Sequence, residues 1–149
     1  KFLSYDEICA GDFGKYSNQV HFLALHGLRW GEAVALTPAD FRDGKILVSK
    51  SIHGPTKTPS GIREVPQMSE YVEFSQSPKG LRKACHKHGI HIHSLRHTYA
   101  YLLKTSGVHV TTAQRFLGHA DPRITLGIYT SFREEEIEQA KELLLKTIA

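Results

Sequence analysis

Between Ser17 and His26 the apolar side chains Val20, Leu23 and Ala24 recur at the spacing of one helical face, and Gly27 ends the run. The spacing predicts a helix there and a second over residues 32–36, with Arg29 in the turn between them. Upstream, Ser4 and Glu7 stand at capping-box spacing, which opens a helix at Tyr5 that the glycines at 11 and 14 cut short. Downstream the pattern shortens. Ile46, Leu47 and Val48 read as a strand, and residues 63–65 as its partner, ended by Pro66. Residues 54–61, rich in Gly, Pro and Thr, read as the loop between them. Residues 81–88 form a helical pattern that Gly89 closes.

The remainder is helical with clear punctuation. Ser94 is placed to cap a helix whose apolar stripe is Leu95, Tyr99 and Leu102, ending at Gly107. Thr111 and Gln114 repeat the capping-box spacing before a helix that Gly118 closes. Asp121 then Pro122 is a cap followed by a first helical residue, and the short helix they begin carries Tyr129. A last helix over roughly residues 134–147 puts Ile137, Leu144 and Ile148 near one face. The pattern as a whole predicts one domain, mostly α with a small antiparallel β-hairpin.

Composition narrows the class. The chain has 149 residues, 40% hydrophobic and 23% charged, the balance of a globular domain. No apolar run approaches the ~20 residues that span a bilayer, and no secretory leader is visible. Cys9 and Cys85 form no CxxC pair, so neither a disulfide framework nor a zinc knuckle is expected, and a reduced, cytoplasmic protein is. A first residue of Lys rather than Met leads us to expect a fragment of a longer protein. The net charge of +4 is uneven: residues 133–149 hold five acids and three bases, or −2, which leaves +6 on the rest. A basic body with an acidic tail suits a polyanionic partner, although charge alone fits a solvated surface equally well.

Candidate chemistry begins at His93-Ser94-Leu95-Arg96-His97. Two histidines four apart can hold zinc, but a zincin needs Glu directly after the first, where Ser94 stands, and Arg96 would set a cation beside the metal. His86, His88 and His91 match no ligand spacing either. Asp12-Phe13-Gly14 spells a kinase magnesium motif without its companion loops, a chance match. What Arg96 suits is an oxyanion, since its planar fork meets two phosphate oxygens at once, and His93 lies one turn away on the same face.

The larger order decides the reading. Gly27-Leu28-Arg29-Trp30-Gly31-Glu32, then Thr56-Lys57-Thr58, then His93-Ser94-Leu95-Arg96-His97-Thr98, then Leu117-Gly118-His119 and finally Tyr129 follow one another. This series resembles the tyrosine recombinase (phage integrase) family, from about Ser4 to the C-terminus. The resemblance implies that family's catalytic-domain fold over residues 1–149, with the N-terminal core-binding domain absent. It also implies site-specific cleavage and rejoining of double-stranded DNA through a 3′-phosphotyrosine, with neither metal, cofactor nor ATP.

Carried over by residue, Arg29 and Arg96 would grip the scissile phosphate and His119 would bond a non-bridging oxygen. Tyr129 would attack phosphorus, Lys57 would protonate the leaving 5′-oxygen, and His93 would help remove the tyrosine proton. A phenol has a pKa near ~10, so it needs such a field of cations and a base around it. His97 is expected to be a buried, hydrogen-bonded support, and Tyr99 and Tyr101 core and surface tyrosines. A homotetramer on DNA is implied, with the acidic last helix docked on a neighbour or folded back in cis. Rival readings are a type IB topoisomerase and a non-catalytic DNA-binding regulator on the same scaffold. Two stretches run short against the family pattern, after Ala10 and over residues 67–80. Either the chain is a pared-down member or segments are missing there.

Overall fold

The computed structural model describes residues 1–55, 59–131 and 133–149. Ser4 opens the first helix as its spacing predicts: its Oγ accepts the Glu7 N–H at 3.2 Å, and the Glu7 carboxylate accepts the Ser4 N–H at 3.0 Å. This helix, α1 (Tyr5–Ala10), ends at Gly11, and a 3₁₀ turn (Gly14–Tyr16) leads into α2 (Ser17–His26). Gly27 terminates α2 in the left-handed region, φ 69°, and a Cβ there would run into the Tyr99 ring. Glycine is required at that position twice over.

Next comes α3 (Trp30–Ala35), which starts two residues earlier than the periodicity suggests because Glu32 reaches back to the Arg29 N–H and fixes the first turn. Strands β1 (Phe41–Arg42), β2 (Lys45–Val48), β3 (Lys50–Ser51), β4 (Gly54–Pro55) and β5 (Arg63–Pro66) follow. They form an antiparallel sheet in the order β1-β2-β5 and a separate β3-β4 pair. Ile46 pairs with Val65 and Val48 with Arg63, and these four face inward. Residues 54 and 55 are therefore strand rather than loop: Ser51 pairs with Gly54, and Ile52 N–H is held by the Gly31 carbonyl at 2.9 Å. Lys57 lies outside the described residues.

No helix forms over residues 67–78. That stretch instead lays Tyr71, Val72 and Phe74 onto the core, and its start is pinned by buried His26. The His26 Nδ1–H donates to the Phe22 carbonyl at 2.7 Å, while Nε2 accepts the Met68 N–H at 2.9 Å.

Four more helices complete the chain after α4 (Lys79–His86): α5 (Ser94–Thr105), α6 (Val110–Leu117), α7 (Pro122–Thr130) and α8 (Arg133–Ile148). Ser94 is the first residue of α5 rather than its cap, and its hydroxyl accepts the His91 N–H at 3.1 Å. Leu103, not Leu102, is the buried leucine at the end of the α5 stripe. The cap of α6 is His109, whose Nδ1 accepts the Thr111 N–H, so the expected Thr111–Gln114 box does not form. The helix starts at Val110, which puts Thr111 already inside it. Asp121 caps α7 as expected, accepting the Arg123 N–H at 2.9 Å.

Helix α5 runs through the centre. One face packs on α2 within a core that includes Phe22, Leu23, Ile46, Leu81 and Leu95. The other joins α6 and α7 in a smaller cluster of Tyr99, Ala100, Leu103, Ala113 and Leu117. Ile137, Leu143, Leu144, Leu145 and Ile148 on α8 are exposed, between 51% and 75%. Among the described residues no helix is long and apolar enough to cross a membrane.

Candidate active site

Three chain turns converge at the start of α5. The Gly27–Arg29 turn ends α2, the Leu117–His119 turn ends α6, and Arg96 in the first turn of α5 bonds both. Its Nη1 donates to the Gly27 carbonyl and its Nη2 to the Leu117 carbonyl, at 2.6 and 2.9 Å. Arg96 is 5% exposed, yet among the described residues no carboxylate stands at ion-pair distance from it. Neutral carbonyls satisfy its donors without cancelling its charge. Burial, then the Arg29 and Arg63 guanidiniums, pull it down to about 9, so it remains a cation at neutral pH.

Arg29 is the exposed partner. Its backbone N–H is held by Glu32 at 2.9 Å, and its Nη1 stands 3.6 Å from the same carboxylate. Glu32, 3% exposed, is in turn clamped by Arg63 through two parallel bonds of 2.9 and 3.0 Å. Burial alone would push the Glu32 carboxyl up, but the Arg63 bonds and charge outweigh it and the net displacement is downward. Arg63 also donates from Nε to the Phe116 carbonyl at 2.8 Å and fills the space beside Gly118. One buried ion pair thus braces the turn carrying Arg29 and the turn carrying His119.

His119 is half-buried. Its Nε2 lies 3.3 Å from Arg96 Nη2 and its Nδ1 2.6 Å from the Thr125 hydroxyl. Arginine can only donate, so Nε2 accepts and Nδ1 carries the hydrogen toward Thr125, a tautomer assigned from these partners. Burial, then the charges of Arg96, Arg29 and Arg63, bring this imidazole down to about 4. His93 is exposed just before α5, with its ring edge-on to His97 at 6.2 Å. Burial followed by Arg96, His97 and Arg29 lowers its pKa. His97 is half-buried rather than buried, and the ring of Phe2 stacks on it at 6.2 Å, so its support is ring packing where a hydrogen bond was expected.

Arg29, His93 and Arg96 line one groove of about 660 Å³. Arg29 and His119 line a second of about 650 Å³. Arg29 forms the ridge between them. The arrangement offers a buried and an exposed guanidinium, with a histidine on either side, to a single anion.

Tyr129 stands apart. Its hydroxyl donates to the Val108 carbonyl at 3.0 Å, its ring packs in the smaller cluster, and Lys104 Nζ lies 5.9 Å from the ring centre. Lys104 is eight residues beyond Arg96 on α5, about 12 Å along the axis. Burial pushes the phenol up to about 12. Tyr99 is a core tyrosine, as expected, 3% exposed and raised by burial. The sequence reading missed Glu32 and Arg63. The only signal was the register of Arg63, on the same inward face as Val65, which marks a buried arginine but does not name its partner.

Residues 67–136, which contain His93, Arg96, His119 and Tyr129, match the model of the phage integrase family. The integrase of Escherichia phage 186 is 28% identical over 127 residues, 78% of this chain. The chain spans 38% of that relative's length. Among solved structures, the catalytic domain of bacteriophage HP1 integrase superposes with a TM-score of 0.65 at 21% identity, covering 95% of this chain and 93% of that one. The Tn1549 transposon integrase in complex with circular intermediate DNA gives 0.65 at 20% identity, over 90% of this chain and 63% of that one. At such identities the superpositions establish a shared fold, mostly helical with small antiparallel sheets.

Proposed function

We propose that the chain is a member of the phage integrase family and the catalytic domain of a site-specific DNA recombinase. It cleaves and rejoins strands through a 3′-phosphotyrosine. The observation that carries this reading is Arg96, a buried guanidinium held by carbonyls and left with its charge uncompensated, beside exposed Arg29. Such a pair fits a DNA phosphate and strengthens its hold as charge builds on the non-bridging oxygens in the transition state.

Tyr129 oxygen bonds to phosphorus while the bond to the 5′-oxygen breaks. The phenol proton passes to His93, and Lys57 delivers a proton to the departing oxygen. Rejoining reverses these transfers, with the 5′-hydroxyl of a second duplex as nucleophile. His119 bonds a non-bridging oxygen once the phosphate is present, because an added anion counteracts the cations that keep its ring unprotonated. Tyr129 must first leave Val108, so the form described here precedes cleavage and DNA or a neighbouring subunit releases the nucleophile.

Double-stranded DNA is the substrate, and the enzyme works as a tetramer on two duplexes. The exposed apolar residues of α8 support docking of that helix on the next subunit. Incubation with a nicked duplex that loses its 5′-hydroxyl fragment on cleavage tests the reading. Covalent protein–DNA at Tyr129 is expected, and covalent DNA on another tyrosine overturns the assignment. A two-site recombination assay separates a recombinase from a topoisomerase, and a protein that binds without trapping is a regulator.

A further inference from the structure

We propose that the outer wall of the groove holding Arg29, His93 and Arg96 is a second phosphate site whose grip tightens as pH falls. It takes the backbone phosphate next to the one the two arginines hold, and so rests on the function proposed above. The wall consists of Arg82 and His86 from α4, His91 from the turn before α5, and His53 from the β3–β4 turn. Arg82 and His86 are four apart on one helix, so their side chains leave the same face. All four are exposed and within reach of a duplex. The chain has fifteen acidic residues, yet every charged or titratable side chain among the described residues lining this groove is an arginine or a histidine. A groove lined by arginines and histidines, with no carboxylate among its described lining residues, attracts an extended anion.

The histidines set the pH behaviour. His91 Nδ1 lies 3.3 Å from His86 Nε2, with the rings edge to face. A hydrogen bond between ring nitrogens needs one N–H and one bare nitrogen, so the pair can hold at most one imidazolium. Protonating both rings ends that bond and frees two donors beside Arg82. The other cationic or titratable groups facing them are His53, His93, Arg29 and Arg96. A phosphate supplies the acceptor oxygens that make the second proton favourable. Acid therefore trades a bond within the wall for bonds to DNA.

Binding of a short fluorescent duplex across a salt series, at about pH 6 and about pH 8, tests the site on either flank of histidine titration. The proteins compared are the wild-type chain, His86→Gln/His91→Gln and Arg82→Gln. At the higher pH the histidine variant should match the wild type. At the lower pH the wild-type plot of log K against log salt should be steeper than the variant's by about 1–2. Arg82→Gln should lose about 1 from the slope at both values. If the wild type traps DNA but the histidine variant keeps its slope at the lower pH, or loses affinity equally at both, the second site is wrong while the recombinase reading stands. A wild type that neither binds nor traps removes both.

Discussion

The Tyr129 hydroxyl is bonded to the Val108 carbonyl, 3.0 Å away, at the opposite end of α5 from Arg96. Tyr129 lies on α7 and Arg96 on α5, so the tyrosine hydroxyl and the buried guanidinium stand apart. The proposed attack by Tyr129 therefore requires its hydroxyl to leave the Val108 carbonyl first.

Tyr129→Phe removes one oxygen and leaves the ring in its cluster. Covalent complex formation should vanish, while DNA binding is kept and the folded state loses about 0.5–1.5 kcal/mol, the value of one hydrogen bond. Urea titration beside a trapping gel measures both. An unchanged midpoint would show that the Val108 bond contributes nothing.

Glu32 and Arg63 should behave as one unit. Glu32→Leu strands a buried guanidinium and should cost about 3–5 kcal/mol. Glu32→Leu/Arg63→Leu removes both charges and should cost clearly less than the sum of the two single changes. Denaturant midpoints for the three variants give the coupling, and simple additivity would contradict the geometry.

Acid should weaken the fold through histidine. His26 is fully buried and lowered by burial, and His119 sits at about 4 against about 6.5 when unfolded. The unfolded chain binds more protons in that window, so stability is level above about pH 6.5 and falls as pH drops toward 4. His119, being half-buried, accounts for on the order of 1–2 kcal/mol of the fall. Urea midpoints from pH 7 to pH 5 should decline less steeply for His119→Gln. Parallel curves would show that the imidazole is not held neutral.

The general-acid role proposed for Lys57 is worth about 10²–10⁴-fold in rate. Lys57→Ala should cleave ordinary DNA slowly, yet cleave a 5′-bridging phosphorothiolate at close to the wild-type rate, since a thiolate departs unprotonated. Arg96→Ala should gain no such rescue. Equal defects on both substrates would make Lys57 a binding residue.

Local rules carried much of the architecture. The Ser4–Glu7 box, the Asp121-Pro122 start and the stops at Gly27 and Gly118 each depend on atoms a few residues apart, and each is found where the spacing puts it. Where two local rules competed, the reading went astray: His109 caps α6 because its ring nitrogen reaches the Thr111 N–H before Thr111 can serve as a cap itself. The order of Arg29, His93, Arg96 and His119 was legible, but the brace behind them was not. Glu32 and Arg63 are 31 residues apart and meet only when β5 docks beside α3. Nor could order along the chain reveal that Tyr129 is tied to Val108, because that depends on how α7 lies across the end of α5.

The two carbonyls that hold Arg96 belong to Gly27 and Leu117, 69 and 21 residues away in opposite directions. The anion grip is consequently a product of chain completion. A polypeptide still on the ribosome cannot close it until Leu117, 21 residues beyond Arg96, has emerged. Chains that stop short of Leu117 thus carry both arginines without one of the two carbonyls that aim Arg96.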